Sequence, residues 1–200
     1  MKKTLILVGI TLVVAVLGII LLNQYKTVTV DSIDDIDKID YQDTYTQDEG
    51  DYLIYFWQEG CSYCEEVAPD IIEFAQDADM PIRIVDMQAP NNHDAWYDWE
   101  THHEEYDVKI GEVVDEEEQL NEGVELTDYT EDAEVFWRIG INEQDEIIAT
   151  HNTPYGNTEP ATADEIEITG TPTLIQVKDG AFSAYANGPE EVRNLLEENK

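Results

Sequence analysis

Cys61 and Cys64 are the only cysteines among the 200 residues of this chain, and an apolar run directly precedes them. The run, residues 52–57 (YLIYFW), is typical of a buried strand, and a helix is predicted to follow the pair. A helix that begins at or near Cys61 points its unpaired backbone N–H groups at the sulfur and stabilises a thiolate. Cys61 is therefore the predicted nucleophile. Cys64, one turn further in, would resolve a mixed disulfide.

Three other interpretations of the cysteine pair stay open. A structural zinc site normally needs four ligands, and without a second CxxC the remainder would have to come from the four histidines of the chain. A purely structural disulfide would close a loop too small to stabilise a fold much. The pair could also be inert and buried, although buried thiols rarely need this spacing. Redox chemistry is the interpretation that the spacing favours most.

The residues around the pair resemble the active-site segment of the thioredoxin superfamily. In residues 51–70 (DYLIYFWQEGCSYCEEVAPD), Phe56-Trp57 match the aromatic pair on the strand that leads into the active site, and Pro69 matches the proline that kinks the active-site helix. Residues 168–180 (ITGTPTLIQVKDG) are similar to the distant segment in which a thioredoxin presents a cis-proline beside its cysteines. Two motifs in this order are stronger than either one alone.

The resemblance implies roles for residues outside the pair. Thr171-Pro172 would be a cis peptide bond, which costs little before proline, although a trans bond in a loop is the ordinary alternative. Thr171 would offer its backbone to a substrate as an added strand. No cofactor is implied beyond the redox-active Cys61–Cys64 disulfide, and no metal. The substrate-binding residues implied in this way are Thr171, Trp57, Gly60 and Tyr63.

The resemblance also implies an α/β thioredoxin-like fold, in which helices flank a central mixed sheet, with a large insertion before the cis-proline strand. One domain would span residues 30–200. Met87 and Thr171 are 84 positions apart, whereas a βαβ crossover can be made in about 30 residues, so the insertion is placed at about 91–160. The predicted elements are a strand at 52–57, a helix at 61–78, a parallel strand at 81–87 and a C-terminal helix at 189–199.

The predicted insertion has a helical part and a strand-like part. Residues 91–106 show helical spacing, and residues 135–139 and 146–150 pattern as a strand pair. The insertion is expected to extend the sheet and cover an edge, or else to form one wall of a partner groove beside Cys61. A metal site on a helix is a further alternative, with Glu100, His103, Glu104 and Asp107 as ligands. The expected core residues of the insertion are Trp96, Trp99, Phe136 and Trp137.

The first residues have the pattern of a membrane anchor. Lys2 and Lys3 precede nineteen uncharged residues, 4–22, which as a helix would span about 28 Å and fill a bilayer core. The lysines favour a cytoplasmic N-terminus. Residues 1–22 are therefore predicted to cross the lipid bilayer once in the cell membrane, with 23–29 as a tether and an extracytoplasmic C-terminal domain. Cleavage as a signal peptide is the alternative.

The charge of the chain excludes one class of partner and bears on redox direction. The chain has 46 acidic and 10 basic residues, a net charge of −36, which excludes nucleic acid because phosphate contacts need clustered Lys and Arg. Glu65 and Glu66 adjoin Cys64, and negative charge there disfavours a thiolate, which makes a couple more reducing. Tyr55 stands where thioredoxins carry a buried Asp that moves protons, so proton transfer would rely on water or another group.

The sequence therefore predicts a membrane-anchored, extracytoplasmic thiol-disulfide oxidoreductase that acts as a reductase or isomerase. Its partners would be extracytoplasmic thiol or disulfide proteins and a membrane electron donor, because this chain has no second redox pair. Two alternatives stay open. One is an oxidase that forms disulfides. The other is a non-catalytic accessory protein, since the chain is similar in size, anchor and motif context to the bacteriocin transport accessory proteins of Gram-positive bacteria.

Overall fold

The structure, a computed structural model, describes residues 30–200. The predicted transmembrane segment and tether, residues 1–29, lie outside the described residues. Within residues 30–200, no helix has the length and apolar character needed to cross a membrane. In chain order the strands and α-helices are β1 (Asp51–Trp57), α1 (Ser62–Asp77), β2 (Ile82–Asp86), α2 (Trp99–Tyr106), β3 (Val108–Val114), β4 (Glu117–Leu120), α3 (Thr127–Thr130), β5 (Trp137–Ile141), β6 (Glu146–His151), β7 (Thr173–Lys178), β8 (Ala181–Asn187) and α4 (Pro189–Glu197).

A mixed four-stranded sheet forms the centre of the fold, with strand order β2-β1-β7-β8. β1 runs parallel to β2, as the sequence predicts, and antiparallel to β7, which forms a hairpin with β8. The hairpin turns at Asp179 and Gly180, both of which have positive φ. Residues 37–39 run along β2, where the Ile39 N–H donates to the Ile84 carbonyl and the Ile84 N–H donates to the Asp37 carbonyl. This segment covers the outer edge of β2, which would otherwise expose unpaired backbone groups.

Alternate residues of β1 face two different cores, as the period of a strand requires. Leu53 and Tyr55 pack on the side of the sheet that α1 and α4 cover. Ile54 and Phe56 pack on the other side, against loop and 3-10 segments that include Ile168. The fold thus agrees with the mixed α/β arrangement that the resemblance predicts, except that α-helices cover one face only. The long connection from β2 to β7 carries α2 and a second sheet instead.

The second sheet is antiparallel, has strand order β4-β3-β6-β5, and shares no strand with the first sheet. The expectation that the insertion extends the central sheet is therefore wrong. The predicted pair 135–139 and 146–150 corresponds to β5 and β6, whereas β3 and β4 were not predicted. The expected core is also partly wrong, because Phe136 is 70% exposed. The half-buried Trp96 and Trp137 do pack against buried clusters, and Trp99 is half-buried. The buried apolar residues of this sheet are Ile110, Ile147 and Ala149.

The predicted helix at 91–106 is two elements. A 3-10 turn, Pro90–Ala95, comes first, and α2 begins after Asp98, whose side chain accepts a hydrogen bond from the Thr101 N–H. The two elements attach the insertion to the central domain: Trp96 forms a bridge with Ile168, and the Trp99 indole N–H donates to the Thr169 carbonyl. These contacts lie next to the segment that leads to Thr171.

Candidate dithiol active site

Cys61 lies at the N-terminus of α1, where the sequence predicts it. It is the N-cap residue, with an extended backbone at φ −81°, and Gly60 before it has φ +76°. A residue at such a φ is strained unless it is glycine, and the helix begins directly after this turn. The Cys64 N–H donates to Cys61 Sγ over 3.1 Å. The sulfur thus occupies the place of an N-cap acceptor, where helix N–H groups favour a negative charge.

Thr171 contacts the same sulfur from the opposite side. The Thr171-Pro172 peptide bond is cis. The Thr171 hydroxyl donates to Cys61 Sγ over 3.4 Å, and the Cys61 thiol donates to the Thr171 carbonyl oxygen over 3.4 Å. The structure therefore brings together two segments that are 110 positions apart in the chain. A donor at this sulfur stabilises its thiolate.

The two thiols differ in their access to solvent. Both are free thiols; Cys61 is half-buried and Cys64 is fully buried. Burial raises the pKa of Cys64, and the neighbouring Cys61 thiol raises it further, while donors on Thr171 and on the Gln58 backbone lower it. A reagent can reach Cys61, whereas Cys64 is positioned to react with a group already attached to Cys61.

The residues predicted to bind substrate are spread around this site. The Tyr63 side chain is 61% exposed on the first turn of α1, and Gly60 is exposed beside Cys61. Trp57 is half-buried and packs against the core on the helix side, where the Lys38 ammonium lies 5.4 Å from its ring centroid. Thr171 is the one member of the predicted set that contacts a cysteine sulfur through its own side chain.

The acidic residues beside the dithiol are not equivalent. Arg193 of α4 pairs with Glu66 Oε1 at 3.0 Å and with Asp70 Oδ2 at 2.9 Å. Glu66 therefore contributes less negative charge to the site than the sequence predicts, although exposed pairs of this kind are partly screened. The Glu65 N–H donates to the Cys61 carbonyl within the first helical turn.

A metal centre finds no support in the described part of the chain. Among residues 30–200, no three His, Cys, Asp or Glu side chains converge in a way that could hold a metal ion. His103 is one of the metal ligands that the sequence suggests as an alternative. Its ring instead stacks on Trp99, and its Nδ1 pairs with Asp107 at 3.1 Å. These contacts engage the ring in a structural role.

Comparison with known proteins gives structural likenesses only. No protein-family model matches the chain, and no curated protein matches it. Among solved structures, the chain is similar to thioredoxin f from spinach chloroplast in its short form, with 10% identity, 82% of this chain and 88% of that chain covered, and a TM-score of 0.36. It is similar to a point mutant of the thioredoxin from Halobacterium salinarum NRC-1, with 15% identity, the same coverages and a TM-score of 0.36. The local geometry around Cys61 therefore carries the functional proposal.

Sequence reasoning missed two groups that contact the dithiol. One is the Thr171 side chain, since only the backbone of this residue was assigned a role. The other is the Gln58 backbone, which donates toward Cys64 from the residue after β1. No residue type marks this contact in the sequence, because the donor is a backbone N–H that every residue except proline carries.

Proposed function

We propose that this protein is a thiol-disulfide oxidoreductase in which Cys61 attacks and Cys64 resolves. The single observation that carries the proposal is the environment of Cys61 Sγ, which accepts the Cys64 N–H at 3.1 Å and the Thr171 hydroxyl at 3.4 Å. Two donors aimed at a half-exposed sulfur stabilise a thiolate, which is the reactive form of cysteine. An inert or purely structural pair would gain nothing from this arrangement.

The exchange follows from the different burial of the two thiols. The Cys61 thiolate attacks a client disulfide, which forms a Cys61–client disulfide and releases one client sulfur as a thiolate that takes up a proton. Cys64 then attacks the Cys61 sulfur, which forms the Cys61–Cys64 disulfide and releases the second client sulfur. Two electrons and two protons pass from the dithiol to the client, and the reverse sequence oxidises a client dithiol.

The reducing direction is the one that we favour. Glu65 and the net charge of −36 disfavour a thiolate at the site, and a less stable thiolate means a less stable dithiol, hence a more reducing couple. The donors at Cys61 Sγ act in the opposite direction. The pairing of Glu66 with Arg193 weakens the part of this argument that rested on acidic neighbours. A reductase needs a source of two electrons, and we propose a membrane electron donor for that role.

The setting that we propose is extracytoplasmic. The lysine pair and the uncharged stretch 4–22 support a single-pass anchor with a cytoplasmic N-terminus. A lone CxxC suits disulfide exchange outside the cytosol. The clients would then be extracytoplasmic proteins with thiols or disulfides.

The test is the reduction potential of the Cys61–Cys64 couple in the full chain, equilibrated in detergent against glutathione and dithiothreitol buffers. A value near or below roughly −250 mV supports a reductase. A value near roughly −120 mV would identify an oxidase and contradict the proposed direction. A wild-type chain that exchanges with neither buffer, and whose cellular role survives Cys61→Ser with Cys64→Ser, would overturn the enzyme proposal and leave a non-catalytic accessory protein.

A further inference from the structure

Tyr55 lies on the side of β1 that α1 covers, directly below the first turns of that helix. Its side chain has no solvent exposure and packs in one cluster with Val67 and Ile71. Cys64 is the buried residue of α1 that lies one turn before Val67, so it faces the same side of the sheet. The strand and the helix thus place a phenol ring beside the buried thiol.

The Tyr55 hydroxyl is the unusual part of this contact. Among the described residues it is one of two buried side-chain oxygens without a hydrogen-bond partner of normal geometry. Buried hydroxyls are nearly always paired, because an unpaired one loses its hydration without compensation. The packing of the core needs no hydroxyl here, since phenylalanine would fill the same space. The neighbouring group that can use this hydroxyl is a sulfur.

The hydroxyl is a donor and not a base. Burial raises the pKa of Tyr55 well above its ordinary value, and the adjacent Cys64 and Cys61 sulfurs raise it further. The hydroxyl therefore keeps its proton throughout the neutral range. A neutral thiol is a weak acceptor for that proton, whereas a thiolate is a charged acceptor and forms a stronger bond.

We propose that Tyr55 donates its hydroxyl hydrogen bond to the Cys64 sulfur when that sulfur carries negative charge, and so assists the resolving step. This inference rests on the proposed exchange function. In the reducing direction the Cys64 thiol gives its proton to water, and its thiolate attacks the Cys61 sulfur. The Cys61–Cys64 bond forms as the Cys61–client bond breaks, and the released client thiolate takes up a proton from water. In the oxidising direction Cys64 leaves as a thiolate. The same charged sulfur occurs in both directions, and Tyr55 gives up no proton in either.

The test is Tyr55→Phe, compared with wild type and with Tyr52→Phe as the matched control. Tyr52 is a second fully buried tyrosine of β1, but it faces the other core and its hydroxyl donates to the Thr44 carbonyl at 2.9 Å. The reduced full-length protein is mixed with excess dithiodipyridine, which releases one chromophore when Cys61 attacks and a second when Cys64 resolves. Stopped-flow absorbance separates the two phases between about pH 6 and pH 8.5, within the neutral range in which exchange rates follow the thiolate fraction.

We expect Tyr55→Phe to slow the second phase by about 3-fold to 10-fold and to leave the first phase within about 2-fold. A lost hydrogen bond to a charged group lowers the thiolate fraction by about 10-fold or more, and the greater nucleophilicity of the remaining thiolate offsets part of that loss. The slowing should persist across the pH range, and Tyr52→Phe should leave both phases unchanged.

Four outcomes would overturn the inference. A second phase in Tyr55→Phe that equals wild type would show that the hydroxyl does not act on Cys64. Equal slowing of both phases would show a general disturbance of the site, and so would equal slowing in Tyr52→Phe. A wild-type protein that releases no second chromophore would overturn the proposed exchange function itself, which distinguishes the two failures.

Discussion

The contribution of the Thr171 hydroxyl to the Cys61 thiolate can be tested with Thr171→Val. This substitution removes the hydroxyl without changing the shape of the side chain. The hydroxyl donates to Cys61 Sγ over 3.4 Å, while the backbone carbonyl of the same residue accepts from the thiol. Valine keeps the branched Cβ and the backbone, so the carbonyl contact remains. The substitution therefore removes only the hydroxyl, which bonds Cys61 Sγ and also lowers the pKa of the neighbouring Cys64.

The size of the effect follows from the geometry. A hydrogen bond to a charged group contributes about 1.5–3 kcal/mol, and the half-buried sulfur with a long O···S distance places this one at or below the lower limit. A loss of about 1 to 1.4 kcal/mol from the thiolate corresponds to about 20 to 30 mV for a two-electron couple. Because the bond stabilises the reduced form, its loss should make the potential more negative.

The potential is measured in glutathione and dithiothreitol buffers at about pH 9, above the ordinary cysteine pKa of about 8.5. The matched control is Thr173→Val, because that hydroxyl bonds the Gly170 carbonyl at 2.7 Å and accepts from the Asn187 side chain, away from both sulfurs. The control should lose stability without a change in potential. An unchanged or more positive potential in Thr171→Val would refute the assignment of Thr171 as a donor to the Cys61 thiolate.

Two further predictions concern the second sheet. Burial and the neighbouring His102 lower the pKa of His151, whose Nδ1 lies 2.9 Å from His102 Nε2, although Asp107 opposes this. The folded state therefore binds this proton less readily than the unfolded state, so the free energy of unfolding should fall as pH decreases below about 6.5, by at most about 1.4 kcal/mol per pH unit. The urea midpoint of unfolding should decline less with falling pH in His151→Gln than in wild type. Equal declines in the two proteins would contradict this prediction. Gly111→Ala should lower the free energy of unfolding by about 1–3 kcal/mol, because the added Cβ would lie 2.4 Å from the Gln119 carbonyl oxygen. Gly140→Ala is the control, because a Cβ there meets open space and should leave stability nearly unchanged. Equal melting temperatures for the two variants would refute this prediction.

The central domain could be predicted because its signals are local or positional. The apolar run at 52–57 and the cysteine spacing place β1 and the start of α1, and both lie where the sequence predicts them. The cis bond before Pro172 followed from a resemblance over a short segment, and the same segment brings Thr171 to Cys61. The roles of these residues in exchange remain predictions.

The hairpin of β3 and β4 could not be predicted because it breaks the usual sequence rules. Its two-residue turn, Asp115 and Glu116, has positive φ at both residues without a glycine, whereas such turns are normally recognised by Asn-Gly or Asp-Gly. Every residue of β4 is exposed, and acidic residues are uncommon in strands. Gly111, which lets the Gln119 carbonyl approach closely, has no distinctive signal in a single sequence.

The part played by Tyr55 was hidden for a different reason. In the sequence, Tyr55 is notable only because it stands where thioredoxins carry a buried Asp. A tyrosine in an apolar strand is otherwise explained by packing alone. Its unpaired hydroxyl and its place below Cys64 become visible only when α1 is packed on β1. A buried hydroxyl without a partner is recognised from the hydrogen bonds of the folded protein, because no sequence pattern marks it.

The central claim, that Cys61 attacks and Cys64 resolves, is tested most directly by trapping. Reduced Cys64→Ser and Cys61→Ser proteins are incubated with a protein disulfide such as insulin, and the disulfide-linked products are mapped by mass spectrometry. Cys64→Ser should accumulate a long-lived mixed disulfide at Cys61, because the buried resolving thiol is missing. Cys61→Ser should accumulate little, because Cys64 is inaccessible. Equal trapping at Cys64, or no trapping in either variant while wild type is also inactive, would contradict the account.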